Sequence, residues 1–196
     1  GGSRGNPGPA AYGVVLKDAD TGEVIAEEGT TIGFATNNVA EYSGLIAGLR
    51  LAQEHAPEAE VEVRMDSKLV VEQMSGRWQV KHPDMKPLAR EASRLAPFGT
   101  TYTWVPRAQN SYADRLANEA LDGTRSGVTV VGENPVGGVA DRGDREPPGD
   151  THARLVGTVG RADHGDPGAP RRHRPHPREA VLGWPRERQP RAQRRG

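Results

Sequence analysis

Three acidic residues lie beside predicted helix or strand boundaries, in local settings that suit a divalent cation. They are Glu41 in Thr36-Asn37-Asn38-Val39-Ala40-Glu41-Tyr42, Asp66 in Val61-Glu62-Val63-Arg64-Met65-Asp66-Ser67, and Asp114 in Asn110-Ser111-Tyr112-Ala113-Asp114. Carboxylates are hard oxygen donors, the kind Mg²⁺ takes while keeping several of its waters. The opening Gly1-Gly2-Ser3-Arg4-Gly5-Asn6-Pro7-Gly8-Pro9 is rich in glycine, which lets backbone N–H groups approach a ligand closely. Together these segments point to a site that holds divalent metal against a nucleic-acid phosphate.

Each residue taken singly also has a plainer reading. Asp66 ends a predicted strand just before Ser67, a helix cap. Open α/β sheets place functional side chains there, but a carboxylate at that point also suits the helix dipole. Asn38 followed by Glu41 matches a capping box, and Asp114 falls in the first turn of the last helix. With Asn37 and Asn38 in succession, one caps a helix and the other has an amide free for a sugar, base edge or phosphate. Arg107 follows a strand and could reach a phosphate. Trp78 and Trp104 are expected in the core or at its rim, and His82, beside Pro83, is expected in solvent. The six histidines show no metal-ligand spacing.

The elements that must position these residues follow from periodicity. Ala11 to Lys17 and Glu23 to Ile32 form a hairpin around Asp18-Ala19-Asp20-Thr21-Gly22. Asn37 or Asn38 caps a helix to about His55, with Tyr42, Leu45, Ile46, Leu49 and Leu51/Ala52 as its apolar stripe, and Pro57 ends it. Val61 to Met65 is a strand, Lys68 to Met74 a helix stopped by Gly76, and Asp84 starts a helix to about Leu95. Thr100 to Val105 is a strand, and Asn110 or Ser111 opens a last helix through Leu121. The order ββαβααβα predicts an α/β domain with a mixed sheet.

Composition divides the chain in two. Net charge is zero overall, but residues 1–124 carry 12 Lys/Arg against 17 Asp/Glu, and residues 125–196 carry 14 Arg against 9 Asp/Glu. An acidic domain that binds a polyanion needs a local basic strip or metal ions. The absence of cysteine excludes disulfides, zinc thiolate sites and cysteine nucleophiles. No apolar run approaches the ~20 residues of a membrane span and no signal peptide opens the chain, so the expected compartment is the cytoplasm. The first residue is Gly rather than Met, so the natural start is expected to lie upstream.

Residues 125–196 hold 12 Gly, 9 Pro and 14 Arg but no Lys, Ile, Phe, Tyr or Met. The expectation is a disordered Arg/Pro/Gly tail over 124–196, whose stretch 171–195 could adhere to nucleic acid without sequence preference. Arginine without lysine amid Gly, Pro, Ala and Asp is also what GC-rich DNA gives when read out of frame.

Taken jointly, the segments resemble the type 1 ribonuclease H family over residues 1 to about 122. The match rests on Gly1 to Ala10, Thr36-Asn37-Asn38 with Glu41, Met65-Asp66-Ser67, and Trp104-Val105-Pro106-Arg107 through Asn110 to Asp114, four motifs in the family's order. It implies a ribonuclease H-like mixed sheet with helices on both faces over residues 1–123, with the first strand truncated and the tail disordered. It implies an endonuclease cutting the RNA strand of an RNA–DNA hybrid, as a monomer, with two Mg²⁺ or Mn²⁺ ions.

Glu41, Asp66 and Asp114 match three of the family's four metal-ligand positions. Asn6, Asn37 and Asn38 match positions that contact the hybrid, Ser67 stands beside the second ligand, and Arg107 replaces a mobile histidine. The family's first ligand Asp would directly precede Gly1, so low activity is expected of the chain as given. The segment from Gly76 to Leu88 lacks the basic protrusion of some relatives. Others carry a histidine phosphatase domain downstream, whose Arg-His-Gly signature residues 125–196 do not contain. The alternatives are a non-catalytic hybrid- or duplex-binding module and a nuclease acting on DNA ends or junctions.

Overall fold

The computed structural model describes residues 1–131 and 153–158. Strand β1 is Gly2–Ser3 and β2 is Gly8–Asp18. The following turn is built by Asp18, whose Oδ1 accepts from the N–H groups of Asp20 (2.8 Å) and Thr21 (3.1 Å), and by Gly22 at φ 74°. The chain returns as β3, Val24–Ala35.

Helix α1 runs from Asn37 to His55. Its cap is Thr36, whose Oγ1 accepts from Val39 N–H at 3.3 Å, rather than Asn37 or Asn38 as the sequence suggested. Both asparagines are therefore helical residues, and Glu41 lies beyond the first turn with no capping role. The predicted stripe of Tyr42, Leu45, Ile46, Leu49, Leu51 and Ala52 is buried. Deleting one such leucine would cost about 2–5 kcal/mol.

Next come β4 (Val61–Met65), α2 (Lys68–Met74) and α3 (Met85–Leu95), with Gly76 at φ 77° just past the end of α2. Strand β5 (Thr101–Trp104), a 3-10 turn (Arg107–Asn110) and α4 (Ser111–Leu121) follow. Trp78 and Trp104 are 47% and 48% exposed, so of the two placements the sequence offered, core or rim, neither is in the core.

Two strands come from beyond residue 123, where the sequence placed the end of the domain. Gly127–Val130 is β6, antiparallel to β3, and Ala153–Thr158 is β7. The sheet order is β5-β4-β7-β2-β3-β6, with β1 also on β2. β7 is parallel to β4 and antiparallel to β2, while β4 and β5 are parallel, so the sheet is mixed. The expectations about the rest of the tail, including the stretch 171–195, fall outside the described residues.

Alternation along β2 sends its side chains to two faces. Val14 and Leu16 join the core built with α1 and α3, while Gly13 meets α4. A Cβ on Gly13 would stand 2.0 Å from the Ala113 carbonyl oxygen and 2.8 Å from Leu116 Cβ. A Cβ on its cross-strand partner Gly29 would likewise crowd α4, 2.6 Å from the Leu116 carbonyl oxygen. The glycine pair lets α4 settle on the sheet, so helices cover both faces. Gly13→Ala is expected to lower stability by about 1–3 kcal/mol in denaturant unfolding, the usual cost of overpacking against backbone that cannot move aside.

Candidate active site

Asp66 follows the last residue of β4, at the end of the sheet where open α/β folds leave a crevice. Its turn is fastened on several sides. Val105 N–H donates to the Met65 carbonyl (2.8 Å), Trp104 Nε1 donates to the Asp66 carbonyl (3.3 Å), and Ser67 Oγ caps α2 by accepting from Val70 N–H (3.4 Å). Asn110, only 2% exposed, donates from Nδ2 to Asp66 Oδ1 at 3.1 Å. Sequence reasoning gave Asn110 no role but starting a helix. Its one available signal was its place in the segment running from Arg107 to Asp114.

Glu41 sits in the second turn of α1 and is 9% exposed. Its Oε2 lies 3.3 Å from the Gly1 nitrogen and makes no hydrogen bond. Asp114, in the first turn of α4, has Oδ1 3.5 Å from Arg107 Nη2. These pairs share one neighbourhood. The Gly1 nitrogen interacts electrostatically with Glu41, Asp66 and Asp114, and Arg107 acts on both Glu41 and Asp66. Glu41, Asp66 and Asp114, from separate segments, are thus linked electrostatically through shared neighbours.

Burial dominates the electrostatics. It pushes the Glu41 carboxyl up to about 8 from an ordinary 4.5; the Gly1 nitrogen opposes the shift and the Asp66 charge adds to it. Burial also raises Asp66, against the Gly1 nitrogen, the Asn110 hydrogen bond and Arg107. The same burial lowers the Gly1 amine to about 6. Among the described residues no three acidic or histidine side chains form a ready-made cation cage. The donor chemistry nevertheless fits a hard divalent ion: Glu41 Oε2 is a water-shielded oxygen without a hydrogen bond, and added positive charge would relieve the repulsion between the acids.

The opening loop is tied to the start of α1. Ser3 donates from N–H (2.8 Å) and Oγ (2.9 Å) to Asn37 Oδ1, and Asn37 N–H donates to Asn6 Oδ1 at 3.0 Å. The side-chain oxygens of Asn6 and Asn37 are therefore spent on the fold, and their NH₂ groups are what they can offer a ligand. Asn6 and Asn38 line a cleft of about 170 Å³ with Thr36, Val39, His82, Asp84 and Met85. His82, expected in solvent, borders this cleft, and its Nδ1 accepts from Asp84 N–H at 3.2 Å.

This mixed sheet with acids gathered at its strand ends has close counterparts among known proteins. A family model described as reverse transcriptase-like matches residues 1–120. A bifunctional protein of Mycobacterium tuberculosis is 61% identical over 124 residues, covering 62% of this chain and 34% of its own length. The solved N-terminal RNase H domain of that protein aligns with a TM-score of 0.59 at 60% identity, over 63% of this chain and 89% of the other. An RNase H1 solved in complex with an RNA/DNA hybrid aligns with a TM-score of 0.60 at 41% identity, over 62% and 92%. The chain belongs to the type 1 ribonuclease H family. It spans about a third of the length of the first curated relatives it matches. No helix among the described residues is long and apolar enough to cross a membrane.

The raised Glu41 carboxyl has a consequence for stability. An unfolded chain releases this proton near 4.5, while the folded chain holds it to about 8. Stability is therefore lost as pH climbs through that window and is flat above it. Without divalent metal, Glu41→Gln is expected to melt higher than the parent at pH 9, by on the order of a few kcal/mol. At pH 4.5 the two should differ little. Equal melting curves at pH 9 would show that Glu41 is not held in this environment.

Proposed function

We propose that this chain acts as a metal-dependent endonuclease on the RNA strand of RNA–DNA hybrids. The observation that supports the reading is that the buried Glu41 feels the charge of Asp66, while Arg107 acts on both and lies 3.5 Å from Asp114. Glu41, Asp66 and Asp114 would hold Mg²⁺ or Mn²⁺. Ions held there would supply an activated water and charge stabilisation at the leaving 3′ oxygen.

The chain's own groups prepare that crevice. Asn110 fixes the rotation of the Asp66 carboxylate through its 3.1 Å hydrogen bond. Arg107 offsets negative charge at Asp114 and would meet a phosphate of the hybrid. The NH₂ groups of Asn6 and Asn37, with Asn38, present donors to the hybrid's sugars and base edges, and Ser67 can add its hydroxyl proton. Recognition by such donors, together with 2′-hydroxyl contacts and groove shape, is how RNA duplexes are generally read.

A second reading draws on the lack of a ready-made three-donor cage among the described residues, which suits a non-catalytic hybrid-binding module of the same fold. A labelled RNA–DNA hybrid with Mg²⁺ separates the two when the chain is assayed with its first strand and the Asp directly before Gly1 supplied, the ligand position that the resemblance implies. The nuclease reading expects internal cuts in the RNA strand, lost when its ribose is replaced by deoxyribose and lost on chelation. Glu41→Gln and Asp66→Asn should lower turnover roughly 10²-fold or more, the scale of removing one preorganised electrostatic element, and leave hybrid binding in place. Salt-dependent binding with no cuts, unaffected by either substitution, would establish the binding module instead.

A further inference from the structure

The cations of residues 1–124 are unevenly spent. Every arginine there but one lies against a carboxylate, from Arg4 on Asp122 to Arg115 on Glu119. The exception is Arg90, in the middle of α3. Neither Arg90 nor Lys86, one turn earlier, makes a hydrogen bond or ion pair among the described residues.

Arg94 completes the row. It shares Glu91 with Arg50, at 2.7 Å and 3.2 Å, so two guanidiniums divide one carboxylate. Lys86, Arg90 and Arg94 stand four residues apart on α3, and all three are exposed. At 1.5 Å of rise per residue, successive charges are about 6 Å apart and the row is about 12 Å long.

This row borders a groove of about 620 Å³ between the end of α2 and α3, which Met74, Val80 and Ala89 also line. No carboxylate lines it, although acids outnumber cations 17 to 12 over residues 1–124. Met74 and Val80 are half-buried against the core and Ala89 is buried within it. The groove is thus apolar at its floor and positive along one side. It also stands apart from the crevice: α2 begins two residues after Asp66 and reaches the groove at Met74, about 9 Å further along its axis.

A nucleic-acid strand and an acidic peptide would both answer the charge, and the floor decides between them. Proteins that hold single-stranded nucleic acid combine a basic groove with aromatic rings on which bases stack. No aromatic side chain lines this groove, and phosphates on the row would leave the apolar floor in water. A peptide helix with carboxylates four residues apart repeats its charge every 6 Å or so, as the row does. Its apolar stripe would cover the floor, in the manner of helices that dock in grooves.

We propose that the α2–α3 groove docks an acidic amphipathic helix of a partner protein. The partner's carboxylates lie on Lys86, Arg90 and Arg94, and its apolar stripe on Met74, Val80 and Ala89. The row is short and exposed, so the contact is salt-sensitive and transient.

The full chain is titrated into a fluorescein-labelled synthetic helix of about five turns, with glutamate at every fourth position and leucine on the adjoining stripe, and anisotropy is read. Saturable binding is expected. It should weaken at least tenfold with Arg90→Glu, and likewise when the peptide's glutamates become glutamine or its leucines serine. Arg90 is exposed and unpaired, so this variant should keep the parent's melting curve. Arg115→Glu, the same change of charge placed on α4, should bind like the parent. Absence of saturable binding, or equal losses in the two variants, would overturn the proposal. So would tighter binding of a mixed-sequence DNA single strand, abolished by Arg90→Glu, since the groove would then be a nucleic-acid track. A concentration-dependent dimer in sedimentation, lost in Arg90→Glu, would put a second copy in the groove and refute the partner helix. None of these measurements uses metal or hybrid, so failure of the ribonuclease reading would leave them intact.

Discussion

Strand β2 is used on all sides, and the rest of the structure depends on that. One edge pairs with β3, the other with β7 and then β1; one face packs against α1 and the other against α4. Backbone ladders satisfy most of this buried strand, against β3 along one edge and at Ala10–Ala11 and Val14–Asp18 along the other. The faces differ in how they are filled. Towards α1 the strand presents Val14 and Leu16, while towards α4 it presents Gly13, set opposite Gly29 so that helix backbone can approach sheet backbone. That approach fixes where α4 begins relative to the sheet, and hence where Asp114 stands relative to Asp66. Backbone contact with α4 thus sets the spacing of acids that are far apart in sequence.

The crevice is costly to the fold, because acids are being removed from water. Glu41 is the extreme case, held by one nitrogen and otherwise without a hydrogen bond. Burying a carboxylate without full compensation destabilises the charged form, and the raised proton affinities of Glu41 and Asp66 express that cost. A fold selected for stability alone would place glutamine or leucine there. Two acids with raised proton affinity near Arg107 are what the proposed metal-binding reading requires, since perturbed carboxyls gather at functional sites. Elsewhere the acids are in ordinary circumstances: Glu27 meets Arg125 at 2.8 Å and Glu91 meets Arg94 at 2.7 Å.

Much of this was legible in the sequence. Local signals located the elements well: the Asp18–Gly22 turn, the Val61–Met65 strand, the Ser67 cap and the Gly76 stop all stand where residue chemistry put them. The three acids were singled out because each adjoins a predicted element boundary, and strand ends are where α/β sheets keep their sites. What escaped was non-local. Thr36 took the cap from its neighbours because both asparagines are helical, with Asn37 tied back to Ser3 and Asn6, a contact 34 residues distant that no local pattern encodes. Trp78 and Trp104 looked like core by hydrophobicity, yet both are half exposed, and Trp104 serves through its ring N–H on the Asp66 carbonyl.

The largest miss was β7, and its cause is physical. A segment with Arg154 and Gly157 amid Gly- and Pro-rich sequence has neither the apolar run nor the alternation that marks a central strand. Its place is set by backbone pairing with β2 on one edge and β4 on the other. Strand preference is in large part a property of the surroundings, so a segment without a strand pattern can still be paired. Both ladders shift register between Val156 and Thr158, and the residue each leaves unpaired is Gly157, where a bulge meets no side chain.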